Sequence, residues 1–310
     1  MDKILYRNII ATITYYDVLD YPLTSFEIWK YLIRYSGDNS NNVWSLTQIV
    51  EVLQDRKILR YIAQKNGMYF LFGREKLVAI RREREYISFR KMRKLRRIVS
   101  ILRISPFVRM ICITGRLSYA NCDKNSDLDV LIAYKYNHIW TGRFMMTILS
   151  YILGVRRHGN KTNNRICLNY HITTKSLDVP TRDLFAAHEY TFIIPVFDTG
   201  YFVEFCKKNT WIRQYKPHYS CIQFAHTLTQ GDNIVTKSIR KFGEMILGDK
   251  GMEKRLQQIQ YKKIIKNPKT LNEGSLILCN ERHLVFLPSP HGPKVFEEYK
   301  KRYEALELDF

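Results

Sequence analysis

Apolar residues return at helical spacing from Ile4 to Tyr16, and Asp20-Tyr21-Pro22 breaks the run. Thr24 then reads as an N-cap, with Glu27 three residues on as the return partner of a capping box. The helix it opens is expected to cover SFEIWKYLIRY, residues 25–35. A polar loop, Ser36 to Val43, leads to Ser45, which caps a third helix whose Leu46, Ile49, Val50 and Leu53 share one face. Two alternating runs follow, ILRYIAQ and GMYFLFG, joined at Lys65-Asn66-Gly67. Asn-Gly between alternating apolar residues predicts a tight hairpin. Three helices and a hairpin, over residues 1–73, is the order of a winged helix-turn-helix.

Residues 74–104 read as a connector, with one long helix from Lys76 to Ile104 that Ser105-Pro106 ends. From 107 the period becomes strand-like. FVRMICITG and LDVLIAY are apolar, β-rich runs, and a helix over 141–154 and a strand from Arg165 to Thr173 complete an α/β core over 105–180. Residues 181–310 are expected to be mainly helical: Arg182 to Tyr190, Tyr201 to Trp211, Val235 to Ile265 and Lys294 to Leu306, with a short β pair (SLILCN, HLVFLPS) and an exposed loop from Lys262 to Glu273. The fold class expected is α+β, with a mixed sheet in the 105–180 core.

Composition sharpens this picture. Hydrophobic residues make up 45% of 310, so the chain can bury a core and is not disordered. The net charge of +21 predicts attraction to polyanions. Residues 74–103 hold twelve Lys or Arg against three Glu, a net of +9. That segment reads either as a polyanion-binding stripe or as a solvated connector with i,i+4 pairs such as Arg81–Glu85. Phe144 to Val155 is the most membrane-like stretch, but it falls short of the roughly 20 residues a span requires. Six cysteines form no CxxC pair; Cys112 and Cys167 lie in apolar runs and read as core. A cytoplasmic, reducing location is the expectation.

The chemistry concentrates in Thr114-Gly115-Arg116, ten residues, then Asp127-Leu128-Asp129-Val130. A buried strand ends at Gly115, where the backbone can turn sharply and approach a ligand. Strand alternation puts Asp127 and Asp129 on one face and sends Leu128 and Val130 into the core. Two adjacent carboxylates repel unless a cation lies between them, and hard oxygen donors favour Mg²⁺ or Mn²⁺. An ion held this way suits phosphoryl or nucleotidyl transfer.

TGRLSYANCDKNSDLDVLIA resembles the signature of the DNA polymerase β-like nucleotidyltransferase superfamily, and Ser126-Asp127-Leu128-Asp129 resembles its minimal branch. The wider chain resembles bacterial nucleotidyltransferase-domain proteins of similar length, through YDVLDYPLT, GREKLVAIRRERE, PFVRMICITG, RICLNYHI and AAHE. The resemblance implies a metal on Asp127 and Asp129, and a nucleoside triphosphate held at Gly115, Arg116 and Ser126. Two positions depart from the family pattern. Arg116 stands where a serine is usual, and the matching strand offers Asn169, not a third carboxylate. Asn169 can still ligate a metal through its amide oxygen; Asp178, in a later loop, is a weaker substitute.

The expected activity is therefore transfer of NMP from NTP to a nucleic acid or protein acceptor. Polyanion binding is assigned to 74–103 and the N-terminal unit. The alternative is a catalytically degenerate module that binds nucleic acid or regulates a partner. Outside the motif, His188-Glu189 reads as a packed helix pair and Arg156-Arg157-His158 as a basic helix C-cap. Tyr119 reads as core or as a base-stacking ring.

Overall fold

In the computed structural model, residues 3–35, 42–159, 161–220 and 228–309 are described. Positions 36–41 of the expected polar loop, and Cys221, lie outside them. Helix α1 (Lys3–Val18) is apolar on nearly every side and is buried from Leu5 to Asp17, save Arg7. Strand β1 (Leu23–Thr24) leads into α2 (Ser25–Lys30), and the Thr24/Glu27 capping box forms. This helix stops at Lys30, short of the expected Tyr35. The backbone N–H groups of Ile33 and Tyr35 donate instead to Thr12 Oγ1 and Asn8 Oδ1 of α1, at 2.8 and 3.0 Å. Buried polar groups on α1 thus outcompete the next helical turn.

Helix α3 (Leu46–Leu53) carries its own capping box, Ser45 with Gln48. Strands β2 (Ile62–Lys65) and β3 (Met68–Leu71) form the hairpin. Asn66 and Gly67 both have positive φ (54° and 77°), the backbone an Asn-Gly hairpin turn requires. With β1 they make an antiparallel sheet in the order β1-β3-β2.

Helix α4 (Leu77–Leu102) follows, then β4 (Val108–Ile113), α5 (Gly115–Ser118), β5 (Leu128–Tyr134), α6 (Ile139–Ile152) and β6 (Ile166–Thr173). Next come α7 (Leu184–Thr191), β7 (Ile194–Asp198) and α8 (Phe202–Lys208). The chain ends with α9 (Ile234–Leu247), α10 (Lys250–Ile265), β8 (Leu276–Cys279), β9 (His283–Leu287) and α11 (His291–Glu304). The second sheet is six-stranded and mixed, in the order β7-β4-β5-β6-β9-β8, with β5 and β6 parallel.

Residues 181–310 therefore supply three strands to the sheet that the 105–180 segment starts. The expected β pair extends it beyond β6. Strand β7, absent from the sequence reading, pairs with β4 at the opposite edge. Pro195 disguises β7, and an edge is where a strand can accept a proline. The Val235–Ile265 segment is two helices, α9 and α10, divided at Gly248 and restarted by Asp249, which caps Met252.

Helices cover both faces of the large sheet. Leu128, Val130 and Ile132 pack on one side with Leu95, Val99 and Met146 of α4 and α6. Leu131 and Ala133 pack on the other with Ala186, Ala187, Tyr190 and Phe205 of α7 and α8. The N-terminal unit does not close its core alone: Tyr119, Leu184, Phe192 and Tyr299 join Tyr15, Tyr16 and Tyr31 in one cluster. Tyr119 is thus a core ring. Inside that cluster Lys216 is fully buried, and its Nζ donates to Tyr16 Oη at 2.9 Å.

Among the described residues no helix is long and apolar enough to cross a membrane. Cys112, Cys122, Cys167 and Cys279 are free, whereas Cys206 is disulfide-bonded.

Candidate active site

The site forms where β4 ends and β5 and β6 begin. The Thr114 N–H donates to Asp129 O at 3.1 Å, carrying the β4–β5 ladder one residue further. Gly115 then turns with φ +61°, and a Cβ there would lie 2.7 Å from Asp129 Oδ2. Glycine is needed twice over: for the left-handed backbone and for the carboxylate against it. Gly115→Ala is expected to lose about 1–3 kcal/mol of stability, the scale for one left-handed non-glycine residue under crowding. Its melting temperature should fall by several degrees; an unchanged melting curve would refute the close packing.

The loop from α5 to β5 is tied down by the residues expected to bind nucleotide. Ser126 Oγ accepts from Asp123 N at 3.0 Å, and Arg116 Nη1 donates to Asp123 Oδ2 at 2.9 Å. Behind the loop, Lys91 Nζ donates to the carbonyls of Lys124 and Ser126 and to the amide oxygens of Asn163 and Asn164. Asp123, beside this network, is held below its usual value: hydrogen bonds from Ser126 and Asn125 and the Arg116 charge outweigh its burial.

Asp127 and Asp129 do come together, and Cys167 joins them: one ligand atom from each lies within 4.8 Å of the others. Asn169 lies two residues beyond Cys167 on the same strand. Asp129 pairs with Cys167 across β5–β6, and a register shift then sets Tyr170 opposite Leu131, so Asn169 falls in the bulge. Asp178 is elsewhere, beyond the far end of β6, where it accepts from Ser176 Oγ at 3.1 Å.

The electrostatics are those of a site short of positive charge. Burial first, and then Asp127, pushes the Asp129 carboxyl well above the usual carboxylate range. Burial, followed by both aspartates, pushes the Cys167 thiol up, so it stays protonated and is a weak ligand for a hard ion. The nearest cation is Arg157, whose guanidinium donates to Asp127 Oδ2 and also to Cys167 Sγ at 3.5 Å. Arg157 is therefore not the simple helix cap the sequence suggested.

A further carboxylate, Glu189 on α7, feels the Asp129 charge without joining the cluster. Burial and then Asp129 push Glu189 up to about 8. Asp129 points to the α7 side of the sheet, as its neighbours Leu131 and Ala133 do. The adjacent His188 is a packing residue, as its sequence context indicated: it lies among Tyr15, Tyr16, Tyr119 and Phe192, and burial holds it well below the usual imidazole value. His291, at the start of α11, feels the site's charges. Burial, Arg116 and Arg157 hold it down while Asp127 opposes them.

Sequence reasoning missed Arg157, Cys167, Glu189 and His291 as site residues. Only the HE pair and the RRH run carried any signal, and neither had a spacing that ties it to the DLD strand. No family profile, curated protein or solved structure matches the chain.

Proposed function

We propose that the chain is a metal-dependent nucleotidyltransferase that moves NMP from NTP to an acceptor hydroxyl. One observation carries the reading: Asp127 and Asp129 share a small cluster beside a glycine turn that leaves Asp129 in contact with the backbone. The donor set fits a divalent ion. Two carboxylates that repel each other supply the charge that Mg²⁺ or Mn²⁺ neutralises. Bound between Asp127 and Asp129, such an ion would supply charge neutralisation on the triphosphate.

The remaining roles fall to the chain's own groups. Arg157 is a guanidinium already poised at Asp127 and can pass to a phosphate oxygen when the carboxylate is otherwise engaged. Arg116, exposed at the start of α5, stands on the side where the phosphates would lie. In transfer, the acceptor oxygen bonds to the α-phosphorus and the bond to the bridging oxygen breaks. Pyrophosphate leaves, and the acceptor proton passes to solvent. The N-terminal helices and three-stranded sheet fit a winged helix-turn-helix, which would contribute to acceptor choice.

The competing reading is a degenerate, nucleic-acid-binding module. It draws on Arg157 and Arg116 already satisfying Asp127 and Asp123. Incubation with α-labelled NTPs, Mg²⁺ or Mn²⁺ and mixed RNA, DNA and protein acceptors decides between them. Transfer that disappears in Asp127→Asn supports the enzyme. No transfer under any of these conditions, with nucleic-acid binding intact in that variant, establishes the module.

A further inference from the structure

Helix α4 carries cations of two kinds. Near its start, three cations serve the fold: Arg74, just before the helix, pairs with Asp17 and Asp20, Arg81 with Glu27 and Glu85, and Arg84 with Asp20. Further along, Arg90, Arg93 and Arg97 are exposed, and no acidic side chain pairs with them among the described residues. With Tyr86 they occupy positions i, i+4, i+7 and i+11, one helix face about 16 Å long. That face lines an open groove of about 910 Å³ whose opposite wall is Lys124, Asn163 and Asn164.

Tyr86 is 64% exposed, with the Arg90 guanidinium 6.0 Å from its ring centre. A row of unpaired guanidinium groups with an exposed ring matches a phosphodiester backbone whose bases can stack. The wall residues matter as much as the charge. Lys91 fastens the 124–126 backbone and Asn163 and Asn164 together, and Asp127 is the next residue after that wall. Glu83, the groove's acid, lies 3.5 Å from Lys124, which offsets it.

We infer that this groove binds the backbone of a single-stranded nucleic acid and that this strand is the acceptor, its 3′ end crossing the 123–126 loop to Asp127. The acceptor role rests on the nucleotidyltransferase reading; the binding does not.

The test measures binding of a fluorescent 12-nucleotide strand, as RNA and as DNA, across a salt series without NTP or divalent ion. The tighter arm identifies the sugar. Arg93→Ala/Arg97→Ala should weaken binding about ten- to a hundredfold and lower the log K against log salt slope by about 1.4, at roughly 0.7 for each lost phosphate contact. Tyr86→Ala should weaken binding about tenfold with little change in slope. A 4-thiouridine or 4-thiothymidine at the 3′ end should crosslink within 123–129, and internal ones to α4.

A duplex bound as tightly as the single strand would overturn the inference. So would wild-type binding by the double variant with its melting curve intact. Crosslinks from the 3′ end that avoid 123–129 would remove the acceptor role even if labelled transfer to another acceptor occurs. Loss of transfer alone, with binding and crosslinks as expected, would remove only the enzymatic reading.

Discussion

Replacing Asp129 by Asn is expected to raise the melting temperature of the metal-free protein at pH 8 and, in the same variant, to abolish nucleotidyl transfer. The stability sign follows from the direction of the shift. Burial and Asp127 move the carboxyl from 3.8 to about 7. The folded state therefore holds this proton more tightly than the unfolded state. Its contribution is complete at low pH and is lost as pH rises through about 7. Each pH unit in that window costs up to about 1.4 kcal/mol, and less here because the side chain is only half-buried and water screens it.

An amide carries no such cost. The gain at pH 8 should be about 1–3 kcal/mol, several degrees in melting temperature, and should vanish at pH 4. Millimolar Mg²⁺ or Mn²⁺ should stabilise the wild type at pH 8 by mass action and leave Asp129→Asn unmoved. Transfer should fall by about a hundredfold or more, the scale for losing one preorganised electrostatic anchor. A scanning-fluorimetry series across pH and metal reads the stability terms. An ion response undiminished in the variant would disprove the metal assignment.

The second large effect is expected at Lys216→Met, far from the acidic cluster. Burial lowers the Lys216 ammonium from 10.5 to about 7. Here the folded value lies below the unfolded one, so the relative stability is full above 10.5 and is lost as pH falls to about 7, at about 1.4 kcal/mol per unit. Below about 7 the penalty is constant. Methionine removes it and fills a similar volume, while forfeiting the hydrogen bond to Tyr16 Oη, worth about 1 kcal/mol. The charge term outweighs the bond, so the variant should be more stable at pH 7 by a few kcal/mol. Wild-type stability should climb between pH 7 and 10, and the variant should lack that slope. Chemical denaturation at pH 7, 8.5 and 10 measures both. A variant less stable than the wild type at pH 7 would mean that the ammonium is better solvated than its burial implies.

The parts of the fold legible in the sequence were those set by local chemistry. Thr24 with Glu27, Ser45, and Asn66-Gly67 each settle their own backbone within a few residues, and each is found as expected. The Asp127/Asp129 pair was legible for the same reason, since strand alternation is a local rule. Helix α2 was overestimated because its stop depends on Thr12 and Asn8, more than twenty residues upstream. Cys167 was not anticipated beside Asp129, because the pairing register of β5 and β6, with its bulge at 168–169, is not announced by any residue in RICLNYHI. Arg157 and Glu189 arrive by packing of whole elements, α6's outgoing loop and α7, against the strand ends. Their roles depend on distances that spacing along the chain does not encode.

The cluster that joins the N-terminal unit to α7 has a thermodynamic consequence. His188 contacts Tyr16 of α1 through Nδ1 at 3.3 Å, and the next residue, Glu189, feels Asp129. Two consecutive residues of one short helix thus respond to different neighbours, one to the N-terminal cluster and one to the acidic pair. Any free energy by which occupation of the acidic cluster alters the seating of α7 is felt with equal magnitude by a ligand of the N-terminal helices. A ligand of the N-terminal helices that reseats α7 would therefore change affinity at the acidic cluster by the same factor as the reverse.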